Sequence, residues 1–408
     1  MQAENASKIN QYVIVGGGIA GVSAAETIFA HEPDSEIILI CGESTLPYFR
    51  MNLTRYLAGE LEASSLPLHP EEWYPSKHIT LMLETFVETI DPQEHLVLLQ
   101  GGKRVHYDKL ILATGASPNV PPIPGVDIPG VQTLRTIEYA NRIQDASKNT
   151  AEVVCIGGGL LGLEVAGAIA HSGGKVTVLE AMPWLLPRQL DEPASKNLQA
   201  RIESLGVKVI VGIKTQAIVG DDRVRAVILE DGTELKADLV VISAGIKPNI
   251  DLACKVGAAV NRGVLVDAEM RTSVEDILAA GDLCEYGGQV YGLWVPAKAQ
   301  GRIAGLTAVG LDEHFSATPP SARLKVMGID LFSIGKISPS EADEFVIAGE
   351  IDGNYYSFLF GRGLMLGAIL IGNNRLSARI KRAVDNAEDF SAKLNRETPV
   401  EEVLKLLS

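Results

Sequence analysis

A chain of 408 residues is too long for one ordinary domain, and at ~150 residues per domain two or three are expected. Hydrophobic residues make up 46% and charged residues 21%, the balance of a globular protein with a large core, and a formal net charge of -15 lacks the basic footprint of a nucleic-acid binder. No run of ~18 apolar residues occurs, which predicts no membrane span, and the N-terminal MQAENASKINQ lacks the positive and apolar regions of a signal peptide, so a cytoplasmic chain is expected.

In chain order, the apolar run Tyr12-Val13-Ile14-Val15 leads into the glycine turn GGGIAG (Gly16 to Gly21), then a small-residue helix from Val22 to Ala30, then a second apolar run, Ile37-Ile38-Leu39-Ile40. Asn119 to Gly130 is rich in proline and glycine and reads as a connector. The opening order then recurs. Val153-Val154-Cys155-Ile156 precedes GGGLLG (Gly157 to Gly162), followed by Leu163 to Ala170 and by Val176-Thr177-Val178-Leu179. Each passage is a strand, turn, helix and strand, the βαβ unit of a parallel sheet. The turns lie 141 positions apart, which is domain duplication rather than a solenoid period.

Phe315 to Ser321, with paired prolines, is a second connector. Beyond it Leu324 to Ile337 and Tyr355 to Ile371 read as strand-rich, and Ser377 to Val384 and Val400 to Leu407 as helical. The last carries Val400, Val403, Leu404 and Leu407 at helical spacing, so a smaller α+β domain is expected to end the chain.

The two turns match G-x-G-x-x-G. In such a turn the first glycine bends the chain, the second lets backbone meet a pyrophosphate, and the third lets the helix pack on the strand. The helix start then offers unpaired N–H groups and a positive dipole end to the anion. The first fingerprint comprises Gly16, Gly18, Ala20 and Gly21, and the second Gly157, Gly159, Leu161 and Gly162. Each is followed by an acidic residue, Glu43 at 27 positions after Gly16 and Glu180 at 23 after Gly157, near the ~20 at which a carboxylate takes a ribose diol. Glu180 would accept from the 2'-hydroxyl of NADH and repel the phosphate of NADPH. No arginine stands closer than Arg188 to receive that phosphate, so NADH is the expected donor. Two dinucleotide sites in one chain suggest electron transfer between two dinucleotides.

At this point the chain resembles the FAD-dependent pyridine nucleotide-disulfide oxidoreductase family. The likeness is greatest to the rubredoxin and ferredoxin reductases and to the flavin domain of NADH-dependent nitrite reductase. Besides the fingerprints it rests on Leu46 to Arg50 (LPYFR), Asp108 to Ala116 with its A-T-G at Ala113 to Gly115, Ala244 to Asn249 (AGIKPN) and Ile277 to Asp282 with its G-D. The resemblance implies an α/β fold of two Rossmann-like dinucleotide-binding domains, the NAD domain inserted in the FAD domain, plus a small C-terminal α+β domain. The expected boundaries are 8–118 and 246–316 for FAD, 119–245 for NAD and 317–408 for the last domain. It also implies FAD contacts at Thr114, Gly115 and Asp282, the last capping a helix start, with Arg50 near the FAD phosphates and Gly245 at the cofactor.

The stretch Gly292 to Gly301, including Trp294, Val295 and Ala297, is implied to start the helix whose amides face the flavin pyrimidine. Such a helix start favours negative charge on reduced flavin. The family's lysine near the flavin falls at Arg55 here, and its usual glutamate partner at Glu164, so an Arg55–Glu164 pair is expected as the catalytic element.

Four cysteines occur, Cys41, Cys155, Cys254 and Cys284, with no C-x-x-C or zinc spacing, so no metal site is expected. Gly42 to Glu60 has no cysteine, whereas the disulfide reductases of this fold need a redox pair there. The implied function is an NADH-dependent FAD oxidoreductase passing electrons to a small redox protein or a terminal reductase subunit; a homodimer is compatible with it. A redox sensor or scaffold, and a peroxide-forming NADH oxidase, stand as the alternatives.

Overall fold

The computed structural model describes residues 9–147, 152–316 and 321–408. They fall into two compact units. The first holds the chain through Leu53, Leu61–Ser117 and Ile246–Ser316; the second holds Thr54–Glu60, Pro118–Gly245 and Ala317–Ser408.

The first unit is built on a five-stranded parallel sheet in the order Ile277–Ala279, Lys109–Leu112, Gln11–Val15, Glu36–Ile40, Ile79–Met82. Its central strands read as near-continuous apolar runs because both faces are covered, and each face carries its own buried cluster. Helix Ile19–His31 packs against helix Trp294–Ala308 on one face. Small residues set that approach, since a Cβ on Gly301 would lie 2.1 Å from the Ala20 carbonyl oxygen. A three-stranded antiparallel meander, Val87–Asp91, Leu96–Leu99 and Arg104–His106, is inserted before Lys109–Leu112.

The second unit repeats this plan. Its parallel sheet runs Lys208–Val211, Lys175–Glu180, Glu152–Ile156, Leu239–Ile242, Val131–Thr133. It too carries an antiparallel meander, Thr215–Gly220, Val224–Leu229 and Glu234–Lys236, before the strand Leu239–Ile242. The duplication legible in the two glycine turns therefore extends to the meanders, where turn residues and apolar alternation differ.

The same unit carries a five-stranded antiparallel sheet in the order Ser321–Val326, Ile329–Gly335, Leu364–Ile371, Asn354–Gly361, Glu344–Ile351. Helices Ser377–Asp385 and Val400–Leu407 close its apolar face, burying Ile380, Ala383, Val403 and Leu407. Strand Glu344–Ile351 is not among the expected elements; it is a sheet edge, and its Glu344, Gly349 and Glu350 interrupt the apolar pattern. This layer rests on the duplicated domain through Ser333, whose hydroxyl donates to the Gln189 carbonyl at 2.7 Å, and through Arg201, which donates to the Gly353 carbonyl at 2.7 Å. Of the Phe315 to Ser321 connector, residues 317–320 lie outside the described residues. The chain is an α/β protein with two Rossmann-like sheets and a C-terminal α+β layer. No helix among the described residues is long and apolar enough to cross a membrane.

Candidate functional site

The two glycine turns have the same internal construction. Strand Gln11–Val15 ends at Gly16, whose amide donates to the Ile40 carbonyl at 2.8 Å; Gly157 does the same to Leu179 at 2.7 Å. Gly16 has φ +124° and Gly157 φ +118°. A Cβ would sit 2.1 Å from the Ala113 carbonyl oxygen at Gly16 and 2.3 Å from that of Ser243 at Gly157. The third glycines are forced by packing, for a Cβ on Gly21 or Gly162 would lie 2.0 Å from the carbonyl oxygen of Gly16 or Gly157 respectively.

The second glycines obey a different constraint. A Cβ on Gly18 or Gly159 would meet no protein atom within 4 Å. Their φ values, -77° and -81°, suit any residue. Each is the N-cap of its helix, and neither helix start has a side-chain cap. Nothing inside the protein demands glycine there. Open space in front of uncapped helix amides is what a diphosphate requires, so both turns fit the phosphate group of a dinucleotide.

Around the first turn, Ala20 is buried against Gly281, the glycine of the G-D motif, where a Cβ would come within 2.9 Å of the Ala20 methyl. The A-T-G segment is braced by Asn249. The Thr114 hydroxyl donates to the Asn249 carbonyl at 2.9 Å, Asn249 Nδ2 donates to the Thr114 carbonyl at 2.8 Å, and the Asn249 amide donates to Gly115, which has φ +65°. Ser117 Oγ adds a bond to Asn249 Oδ1 at 2.7 Å. Asn249 lies in the AGIKPN motif, yet its bracing role depends on a partner 135 positions away and has no local signal.

Glu43 accepts from the Tyr48 hydroxyl at 2.7 Å and pairs with Arg50 at 2.5 Å. Burial works against the Arg50 charge, but Tyr48, Glu43 and Asp282 more than offset it and raise the guanidinium pKa. Asp282 does not cap a helix: it sits in a turn, and the next helix starts only at Trp294 with Leu293 as its N-cap. The cause is the two-residue strand Cys284–Glu285, which pairs with Val264–Leu265 and carries the chain away. At that later helix start no side chain caps the amides. Pro296 has no N–H and Ala297 is buried and bonded back to Leu293, which leaves the Trp294 and Val295 amides as the open donors. The Val295 side chain is 74% exposed, and Trp294 stacks on Phe49 with ring centroids 5.5 Å apart.

Around the second turn, Glu180 is held at the end of its strand by two amides, Gly158 at 2.8 Å and Met182 at 2.7 Å. Its carboxylate thus stands beside the open Gly159, with Leu161 partly exposed on the following turn of helix. Gly245 is exposed at φ +93°, its carbonyl taken by the Asn119 amide at 2.9 Å.

The expected Arg55–Glu164 pair is not formed. Arg55 Nε pairs with Glu60 at 3.0 Å, both side chains half exposed, because Glu60 follows within the same short segment and offers a partner in water. Glu164, on helix Leu160–His171, instead accepts from the Thr54 hydroxyl at 2.9 Å. Burial pushes the Glu164 carboxyl above the ordinary range, and the Thr54 bond pulls it partly back.

The buried thiols are inert. Burial pushes Cys41 and Cys155 up to about 12 and raises Cys284 as well. Cys41 packs behind the first turn, where a Cβ on Gly17 would lie 2.3 Å from its sulfur.

Residues 10–301 match the profile of the pyridine nucleotide-disulphide oxidoreductases, and residues 320–388 match the rubredoxin NAD+ reductase C-terminal domain. The chain is 36% identical over 385 residues to a nitrite reductase [NAD(P)H] of Bacillus subtilis (strain 168), covering 93% of this chain and 48% of that protein. It is 32% identical over 383 residues to the NADH-rubredoxin oxidoreductase of Clostridium acetobutylicum, covering 94% of this chain and 96% of that one. Its structure resembles the reductase in the covalent putidaredoxin reductase–putidaredoxin complex, with TM-score 0.86, 27% identity, and 98% and 99% of the two chains covered. The chain spans about half the length of the Bacillus subtilis proteins it matches. The chain belongs to the pyridine nucleotide-disulphide oxidoreductase family.

Proposed function

We propose that this chain is an NADH-dependent flavoprotein that passes electrons from NADH through FAD to an external carrier, a rubredoxin- or ferredoxin-like protein or a terminal reductase subunit, in the cytoplasm. The observation that carries this reading is the repeated turn whose second glycine faces open space. Relatives named for rubredoxin and a neighbour complexed with putidaredoxin support a small redox protein as acceptor, and a relative named nitrite reductase supports a terminal reductase subunit. In this reading residues 8–118 and 246–316 form the FAD domain, 119–245 the NAD domain and 317–408 the C-terminal domain.

Bound FAD would supply the conversion between a two-electron donor and a one-electron acceptor. The protein supplies binding and electrostatics. The Gly18 end of helix Ile19–His31 would receive the FAD diphosphate, Glu43 an FAD ribose, and Asp282 a ribityl hydroxyl. Thr114 and Gly115, braced by Asn249, would present backbone to the cofactor. The open Trp294 and Val295 amides would favour negative charge on the flavin. Gly159 and Glu180 would hold the diphosphate and ribose of NADH. Gly42 to Glu60 carries no cysteine and burial favours the protonated thiol at Cys41, Cys155 and Cys284, so this reading routes the electrons without a thiol relay.

The test is anaerobic reduction by NADH followed by oxidised rubredoxin, ferredoxin or neither. Turnover that rises well above the oxygen background with one carrier supports the reading. A reduced protein that no carrier reoxidises would point to a sensor, and rapid reoxidation by oxygen alone to an oxidase.

A further inference from the structure

One large aromatic ring in the first unit is left half in water over the glycine that precedes Glu43, the residue assigned to the FAD ribose. Phe86 is 51% exposed, just ahead of strand Val87–Asp91 and between the half-buried Thr85 and Val87. Its ring is not loose. The segment before it is clipped to the end of strand Glu36–Ile40 by the Thr85 amide on the Cys41 carbonyl at 3.0 Å and by the Glu84 amide on the Glu43 carbonyl at 3.1 Å. Its own carbonyl accepts from the Gln100 amide at 2.9 Å. The ring lies directly over Gly42, where a Cβ would come within 2.7 Å of Phe86 Cε1. The absence of a Cβ at Gly42 leaves room for the ring at this place, one residue from Glu43.

We propose that the Phe86 ring is the platform on which the adenine of FAD stacks. The proposal rests on the flavoprotein reading above and adds a residue that fixes the adenosine end of the cofactor. The order of parts on a dinucleotide turn dictates the position: diphosphate at the helix start, ribose at the carboxylate after the second strand, base beyond the ribose. The exposed Phe86 ring, seated over Gly42 one residue before Glu43, offers a flat apolar face on which a purine can stack. Stacking there removes exposed ring surface from water and matches two π-faces, which is worth binding energy for any base. Glu43 can still take a ribose hydroxyl, because a carboxylate has about four acceptor sites and Tyr48 and Arg50 occupy only part of them.

The experiment compares FAD, FMN and AMP binding to the full chain stripped of flavin, by calorimetry, for wild type, Phe86→Leu and Phe86→Tyr. FMN lacks the adenosine end, so it reports the rest of the site. Phe86→Leu keeps an apolar side chain over Gly42 but removes the π-face. The expected result is a loss of roughly tenfold in FAD and AMP affinity for Phe86→Leu, unchanged FMN affinity, and near-wild-type values for Phe86→Tyr. Equal losses for FAD and FMN, or no loss for FAD, would overturn the proposal. A wild-type chain that binds neither FAD nor AMP would overturn the flavoprotein reading itself, and the platform with it.

Discussion

The Thr54 hydroxyl donates to Glu164 Oε2 at 2.9 Å, so the carboxyl on the second fingerprint helix has a neutral partner. Buried beside a hydroxyl rather than a cation, Glu164 holds its proton more tightly in the folded chain than in the unfolded one. Its contribution to stability is then complete below the ordinary carboxylate pKa and is lost as pH rises through the raised folded value. Glu164→Gln should match wild type in Tm near pH 4 and exceed it increasingly towards pH 8. Thr54→Val, which removes the bond that favours the charged form, should raise the folded value further, so that the loss reaches to higher pH and grows. A Tm difference independent of pH would refute this account of the pair.

The first and second glycines of a fingerprint should fail in different ways, and the second glycines of the two fingerprints should fail on different ligands. Gly16→Ala forces a Cβ onto the Ala113 carbonyl at positive φ and should cost at least ~2 kcal/mol of stability. Gly18→Ala meets no protein atom and should cost under about 1 kcal/mol in the flavin-free chain, while flavin retention after gel filtration falls sharply. Gly159→Ala should leave flavin content intact and raise the KM for NADH. Equal flavin retention in wild type and Gly18→Ala would remove the case for a ligand at that opening.

Glu180, held by the Gly158 and Met182 amides, is oriented before any ligand arrives. Losing a charge-assisted bond to a ribose hydroxyl costs about 1.5–3 kcal/mol, so Glu180→Ala should lower kcat/KM for NADH about tenfold or more. With the repelling charge gone, kcat/KM for NADPH should rise. Initial rates with both cofactors decide it; a wild-type preference for NADPH would reverse the assignment.

Asn249 is the brace between the A-T-G segment and the AGIKPN motif. Asn249→Ala removes two side-chain hydrogen bonds, to Thr114 and Ser117. At about 1 kcal/mol each, denaturant unfolding should show a loss of about 1–2 kcal/mol, together with a shifted flavin absorbance if Thr114 and Gly115 line the cofactor. An unaltered spectrum with the same stability loss would make the brace purely structural.

In the C-terminal layer the Lys336 ammonium, helped by the Ser340 and Glu341 amides, holds the Glu344 carboxyl at about 2. Stability from this group is present above the ordinary carboxylate pKa and is lost as pH falls towards 2. Glu344→Gln should lower Tm at pH 7 and converge on wild type in acid.

The amino-acid sequence alone determined the duplicated dinucleotide-binding plan and its ligand chemistry. These depend on local rules: an apolar run, a glycine turn of fixed spacing, a small-residue helix and an acid after the next strand all act within about 30 residues of chain. The cysteine positions were equally readable, since a missing thiol needs no fold to be missing. Tertiary structure alone decided the partners. Arg55 went to the nearby Glu60 and Thr54 to Glu164, 110 positions away. Asn249 reached Thr114 and Phe86 reached Gly42 by the same kind of long-range closure. Which side chain pairs with which carboxylate depends on the packing of distant segments and on water's claim on each charge, and neither leaves a periodic trace in the sequence. The open second glycine is where both levels meet: spacing identified Gly18 and Gly159, and only the folded surroundings showed that nothing in the protein needs them to be glycine.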